Sequence, residues 1–358
     1  MKSPLIDELL RVAVVSGASD LILHSGRPAL MRREGELTPI EAPPLTDADL
    51  DDLWERTGAS VAALDHDGSL IAPDGSRFRV NLLRQLGARA AVLRRILREI
   101  PVLDTLGVPT ELLREWSGRP AGIIIVSGPT GSGKSTTVAA ALEAINQSVR
   151  RHIVTIEDPV EYIFESKASL FTQREVGIDT PTFAEGLRRS LRQDPDVIFL
   201  GEIRDALSAA TAIQAAETGH LVFATLHSST CADAIDRLQL LFAPDEREAV
   251  RKTLASQLLG ILCQRLIPAT DGGRALLCEF FSNAASSRRI IADGRMSDLI
   301  DFIMRGDPLA ARSFAESLLR LVKDGRVDGA TALEISDNPQ EFSRMLRGIT
   351  SSTQSLRR

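Results

Sequence analysis

Polar and apolar residues alternate through Arg77-Phe78-Arg79-Val80-Asn81-Leu82, the period of a strand with one buried face, which sets Arg77, Arg79 and Asn81 on the other side. Alternation alone makes that side an ordinary solvated sheet face. Upstream, residues 21–24 and 29–31 are short strand-like runs ahead of a proline-rich break at Pro39, Pro43 and Pro44. Thr46 with Asp49 three residues on, followed by Leu50, Leu53 and Trp54, has the spacing of a capped amphipathic helix. Pro101, Gly107 and Pro109 interrupt the periodic segments and place a boundary near residues 96–108.

Beyond that boundary the pattern changes. Short apolar runs at 122–126, 153–156, 197–200 and 221–226 alternate with helical segments, which predicts a parallel sheet covered by helices. Residues from about 245 to 348 read as mostly helical, as in 246–266 and 314–321, and Thr350-Ser351-Ser352-Thr353-Gln354 reads as disordered. No repeat of solenoid length is found. The expectation is an α+β domain over 1–98, a linker over 99–108, an α/β domain with a helical C-terminal part over 109–348, and a disordered tail over 349–358.

Composition narrows the classes. The 358 residues suit two domains, and 44% apolar with 25% charged residues is ordinary globular usage, so global disorder is excluded. Acidic residues outnumber the 42 basic ones and the net charge is −6, unlike a nucleic-acid coat. Cys231, Cys263 and Cys278 form no C-x-x-C pair and are odd in number, which points away from a disulfide framework or a structural zinc site. The N-terminus turns acidic at Asp7 and Glu8 before any apolar core builds, unlike a signal peptide. No apolar run approaches the roughly 20 residues that cross a bilayer. The expected protein is soluble, in a reducing compartment, with any membrane role peripheral and no direct insertion.

One motif carries chemistry outright. Gly128-Pro129-Thr130-Gly131-Ser132-Gly133-Lys134-Ser135 fits G-x-x-x-x-G-K-[ST], follows a predicted strand and opens a predicted helix at about Thr136. Glycines let successive amides point at phosphate oxygens, and the helix start adds its positive dipole end. Lys134 is expected on the β- and γ-phosphates and the Ser135 hydroxyl on Mg²⁺. No Asn-Lys-x-Asp guanine-reading motif accompanies the loop, so ATP is expected.

Hydrolysis also needs carboxylates. Glu202 follows the apolar run 197–200, at the tip where parallel strands present their ligand-binding ends, and is the candidate for the Mg²⁺ shell; the rival reading is a surface acid paired with Arg204. A second acidic tip, Glu157-Asp158-Pro159-Val160-Glu161, offers three carboxylates for nucleotide contact and water activation without ranking them. His220 and His227 bracket the run 221–226 and either sense the γ-phosphate or are structural.

With these blocks the chain resembles the type II/type IV secretion and pilus ATPase superfamily, and within it is similar to the type IV pilus retraction (PilT-like) ATPases. The likeness runs from Ala18-Ser19-Asp20-Leu21 to about residue 335. It includes Thr172-Gln173-Arg174-Glu175-Val176-Gly177, Arg192-Gln193-Asp194-Pro195-Asp196 and Gly201-Glu202-Ile203-Arg204-Asp205. The resemblance implies a PAS-like N-terminal domain, a RecA-like P-loop ATPase domain and a ring of six copies. It makes Glu161 the catalytic carboxylate, Glu202 an atypical Walker B glutamate, and His220 with His227 a His-box pair. Arg77, Arg79 and Arg84 become arginines that approach the nucleotide phosphates. It also implies a partner, an inner-membrane platform protein, and a place on the cytoplasmic face of that membrane.

Two departures bear on the subtype. Ser286-Ser287-Arg288-Arg289-Ile290-Ile291-Ala292 keeps only parts of the retraction ATPases' A-I-R-N-L-I-R, and their G-M-Q-T-type stretch is absent near Arg312-Ser313-Phe314. The direction of work is therefore open between retraction and an accessory pilus or secretion role. A RecA-like nucleic-acid motor is disfavoured by the acidic balance and by only 4% aromatic residues.

Overall fold

A computed structural model describes residues 3–33, 35–60, 62–96, 99–307 and 310–348; the tail expected to be disordered lies outside them. Contacts divide the chain into two compact units, Met1–Glu99 together with Pro159–Ile163, and Ile100–Asp158 together with Phe164–Arg358.

The first unit begins with α1 (Pro4–Val15), capped by Ser3, with Pro4 at the first position, where a helix needs no amide. Strands β1 (Asp20–His24), β2 (Leu30–Arg33) and β3 (Glu36–Pro39) follow, then α2 (Asp47–Arg56) and strands β4 (Asp65–Ile71), β5 (Arg77–Gln85) and β6 (Ala88–Ile96). At the start of α2 the Thr46 hydroxyl accepts the Asp49 amide at 3.2 Å while Asp49 accepts the Thr46 amide at 2.8 Å, the reciprocal cap expected from the spacing. Among the described residues the strands form a six-stranded sheet, order β3-β2-β1-β6-β5-β4, with every pairing antiparallel. Phe78, Val80 and Leu82 of β5 are buried in one core with Leu9, Leu21, Leu53 and Trp54, while Arg77, Arg79 and Asn81 are half-buried on the opposite face.

The second unit starts at α3 (Thr110–Ser117) and enters β7 (Gly122–Ser127), α4 (Lys134–Ser148), β8 (His152–Glu157) and β9 (Leu170–Glu175). Helices and strands then alternate as α5 (Phe183–Ser190), β10 (Val197–Leu200), α6 (Ala206–Glu217), β11 (Leu221–Leu226), α7 (Cys231–Leu240) and α8 (Arg247–Gln257). The chain continues through β12 (Leu258–Pro268), β13 (Arg274–Ser282), α9 (Ala285–Ala292), α10 (Met296–Arg305), β14 (Ala311–Arg312), α11 (Phe314–Lys323), α12 (Gly329–Ile335) and α13 (Pro339–Leu346). Its described strands make an eight-stranded sheet, order β14-β13-β12-β7-β11-β10-β8-β9, parallel from β12 to β9 and antiparallel at β13 and β14.

Every residue of β7, β10 and β11 is buried, as expected for parallel strands covered on both faces. Alternate residues feed two cores: Ile123, Ile125, Ile198 and Val222 on one face, Ile124, Val126, Phe199 and Phe223 on the other. Burying each such side chain contributes about 1.5–3 kcal/mol.

The expectation that 246–266 is helical is corrected. The helix stops at Gln257, and Leu258–Pro268 lies beside β7 as a parallel strand with Ile261 opposite Ile125 and Cys263 opposite Ser127. Leu258-Leu259-Gly260-Ile261-Leu262-Cys263 is apolar at every position, so it has no period to separate strand from helix. The free edge of β7 decides the matter, because an apolar strand there closes a ladder of otherwise unpaired buried amides. The C-terminal part is therefore not helical throughout, since a hairpin and a short strand run through it.

Candidate active site

At the end of β7 the backbone turns sharply at Gly128, whose φ is +146°. A Cβ there would sit 2.3 Å from the Gln264 carbonyl oxygen and 2.6 Å from Ser132 Oγ, so only glycine passes this close to β12. Gly133, at φ +86°, supplies the left-handed step into α4. The loop is thus pinned between two strands and a helix start, with Ser135 and Thr136 in the first helical turn. Lys134 is buried, and its ammonium donates back to the carbonyls of Gly128 at 2.9 Å and Pro129 at 3.0 Å. Among the described residues the buried Ser132 hydroxyl finds no hydrogen-bond partner, which leaves an acceptor-seeking donor at the loop's interior. Gln264 donates to the Thr137 hydroxyl at 2.7 Å and ties α4 to β12.

The strands next to β7 bring the remaining groups to the same edge. Gly201 after β10 donates to the Ile156 carbonyl at 2.8 Å, and Ile203 donates to the Thr225 carbonyl at 3.1 Å, so Glu202 rides on a fixed segment. Glu202 Oε2 accepts from Arg204 Nε at 2.7 Å, its Oε1 lies 3.4 Å from His227 Nε2, and His227 Nδ1 lies 3.5 Å from Lys134 Nζ. Arg204 also reaches Asp158 at 3.4 Å. Lys134, His227, Glu202, Arg204 and Asp158 therefore form one charged chain, which includes the Arg204 pairing set out as the rival reading for Glu202.

An ammonium only donates, so the Lys134 contact assigns Nδ1 of His227 as acceptor and puts the ring proton on Nε2, facing Glu202. Burial pushes the His227 pKa down, the Lys134 ammonium pushes it further, and Glu202 opposes them. The imidazole is thereby held neutral beside the lysine. Its position is set by Arg237 of α7, which donates to the His227 carbonyl at 2.6 Å, and by Ser127, whose hydroxyl accepts the Ser228 amide at 2.9 Å. Sequence reading missed both contacts: an arginine on a helix beyond a loop gives no periodic signal.

Other candidates are placed differently. Glu157 is buried at the end of β8 and accepts from the Thr155 hydroxyl at 2.6 Å. Glu161 is exposed and falls in Pro159–Ile163, the segment that belongs with the first unit, so the acidic tip is divided after Asp158. His220 sits at the opposite end of β11 from His227. It closes the end of α6, with Nδ1 2.9 Å from the Ala215 carbonyl oxygen and 3.2 Å from the Thr218 hydroxyl. Of the two readings set out for the histidines, these contacts give His220 a structural partner at the end of α6, while His227 lies beside Lys134 at the other end of β11. Arg77 and Arg79 share one face of β5; Arg79 lies 3.9 Å from Asp67. Arg84 falls on the other face by the strand's alternation and donates to the Ala63 carbonyl at 3.3 Å.

Among the described residues no group of three or more His, Cys, Asp or Glu side chains is arranged to hold a metal, and no helix is long and apolar enough to cross a membrane.

A family model described as "Type II/IV secretion system protein" matches residues 3–296. The chain is 38% identical over 343 residues to the type IV pilus retractation ATPase PilT of Pseudomonas aeruginosa, covering 94% of this chain and 99% of that protein. It is 34% identical over 348 residues to the type IV pilus ATPase PilU of the same organism, covering 95% of this chain and 91% of that one. A crystal structure of the pilus retraction motor PilT with bound ADP matches it with a TM-score of 0.87 at 39% identity, over 96% of this chain and 100% of the other.

Proposed function

The chain belongs to the type II/IV secretion system protein family, and from that premise we propose that it is a Mg-dependent ATPase whose ring powers type IV pilus retraction. The observation that carries this reading is the P-loop lysine joined through His227 to Glu202 at one edge of the sheet. Its first unit is read as the PAS-like domain over 1–98, followed by a linker over 99–108 and a RecA-like ATPase domain over 109–348.

The loop amides and the start of α4 bind the phosphate chain of ATP, with Gly128 to Gly133 as the cradle and Ser132 as an added donor. Lys134 rests on two neutral carbonyls and leaves them for the β- and γ-phosphates, since charge-assisted bonds are roughly twice as strong as neutral ones. The Ser135 hydroxyl and the Glu202 carboxylate would hold Mg²⁺, Glu202 in part through water; two protein groups suffice, because Mg²⁺ keeps several waters and takes phosphate oxygens. Held by these two groups, Mg²⁺ would supply positive charge against the phosphate oxygens. Neutral His227 between Lys134 and Glu202 responds to the phosphate charge. Glu161 orients the attacking water, with Glu157 and Asp158 in supporting contact with the nucleotide. Arg77, Arg79 and Arg84 supply positive charge to the transferring phosphoryl group in the assembled ring, an effect worth about 10³–10⁵ in rate. His220 keeps a structural role at the end of α6.

Six copies form the ring, and its partner is the inner-membrane platform protein of the pilus, approached from the cytoplasmic side; no nucleic acid is involved. A second reading, an accessory pilus ATPase, is favoured by the departures from the retraction pattern at residues 286–292 and 312–314. Deleting the gene in its native cell and counting surface filaments separates the readings. Excess immobile pili support retraction, normal retraction with reduced force supports the accessory role, and a bald surface or failed export contradicts both.

A further inference from the structure

Away from the nucleotide loop, the second unit holds a cavity of about 130 Å³ bounded by β12, β13, α11 and α13. Its body is apolar, built by Leu277, Phe314, Leu318, Phe342 and Met345. Three carboxyl groups, Glu279, Asp337 and Glu341, line the same space against a single cation, Arg265. Arg265 is already engaged, 3.1 Å from Asp337 Oδ1 and 4.2 Å above the Phe314 ring. Among the described residues neither Glu279 nor Glu341 has an ion-pair partner. Glu279 instead accepts the Cys231 amide at 2.8 Å, and Glu341 accepts from the Asn338 side chain at 3.0 Å. Burial pushes the Glu279 pKa up, against the Cys231 amide and the Arg265 charge. A carboxyl in that position gains from any cation that enters, since pairing offsets the cost of its desolvation.

We propose that this cavity binds a small organic cation, an ammonium or guanidinium on a short aliphatic or aromatic body, with its head on Glu279 and its body against Phe314, Leu318 and Phe342. Apolar cavities of about 150 Å³ hold a benzene-sized guest, so the occupant has roughly six to eight heavy atoms. The charge of the lining selects the sign, and the apolar walls select against hydrated inorganic ions.

The site is wired toward the nucleotide loop. Glu279 holds the amide of Cys231, the first residue of α7, and Arg237 of the same helix holds the His227 carbonyl. A head group on Glu279 competes for the oxygen that fixes the start of α7, and so acts on the histidine beside Lys134. That consequence rests on the ATPase reading; the binding itself does not.

Calorimetric titration of the full chain without nucleotide, using n-hexylamine as its ammonium ion and n-hexanol as the neutral isostere, tests the assignment. The ammonium is expected to bind at least about tenfold tighter than the alcohol, the range for one charged hydrogen bond, and Glu279→Gln should remove that preference. Leu318→Phe, which fills the cavity without touching Glu279, should abolish binding of both probes while leaving the far-ultraviolet circular dichroism unchanged. No binding of the ammonium up to about 10 mM, equal affinity for the alcohol, or full binding by a folded Leu318→Phe would each overturn the site. Saturating ammonium should change the rate of ATP hydrolysis at least about twofold in the wild-type chain and leave it unaltered in Leu318→Phe. Unaltered turnover in a wild-type chain that binds the probe would overturn the link to α7.

Discussion

Lys134 spends its charge on two neutral carbonyls, which makes it a poor resting partner for the loop and a ready one for phosphate. His227 tells a related story through its proton. Its folded pKa is lowered by burial and by Lys134, so below about pH 6.5 the unfolded chain binds more protons than the folded one. Stability should therefore decline as pH falls from 6.5, and His227→Gln should flatten that decline in thermal melts; an unchanged profile would show that the ring is not held neutral. Glu161 is the residue whose role the sequence could not rank against Glu157 and Asp158. Glu161→Gln should bind nucleotide normally in a fluorescent-analogue titration yet hydrolyse ATP about 10²–10⁴-fold more slowly. Normal turnover in that variant would move the water-activating role to one of the other two carboxylates.

Among the elements, β7 and α4 were legible because the glycine-rich loop fixes both of its neighbours, and α2 was legible from its cap. β5 was read from its alternation, which also separates Arg77 and Arg79 from Arg84. β12 was not legible, because a run apolar at every position carries no period and only the exposed edge of β7 makes it a strand. It also supplies contacts that no motif names, the Gln264 bond to Thr137 and the carbonyl that crowds Gly128. Gly260 belongs to the same strand: a Cβ there would lie 2.1 Å from the Trp116 ring. Gly260→Ala should cost about 1–3 kcal/mol through overpacking, read as a lower denaturant midpoint with an unchanged slope. A variant as stable as the wild type would mean that α3 does not pack on β12 as described. The His227 loop was half legible: the histidine stood out, but Arg237 and Ser127, which aim it, did not.

At the scale of the whole molecule, one chain places the phosphate loop, the Glu202 carboxylate and a neutral histidine on a single sheet edge, while the arginines of β5 and the Glu161 segment belong to the other compact unit. The proposed mechanism assigns nucleotide binding to the second unit and gives the β5 arginines and Glu161 their part in the assembled ring, and so predicts turnover that is conditional on assembly. Arg79→Ala should leave nucleotide affinity intact and cut the hydrolysis rate of the assembled ring at least about tenfold, toward the 10³ expected of a charge-stabilising arginine. Full activity in a proven ring would return the residue to the solvated face of its strand. The most direct test of the account is phosphate release by the purified full chain with Mg-ATP, compared with Lys134→Ala under every assembly condition in which the wild type is folded. The wild type should turn over and the variant should be inactive, whereas a wild type that neither retains ATP nor releases phosphate, or a variant that matches it, contradicts the central claim.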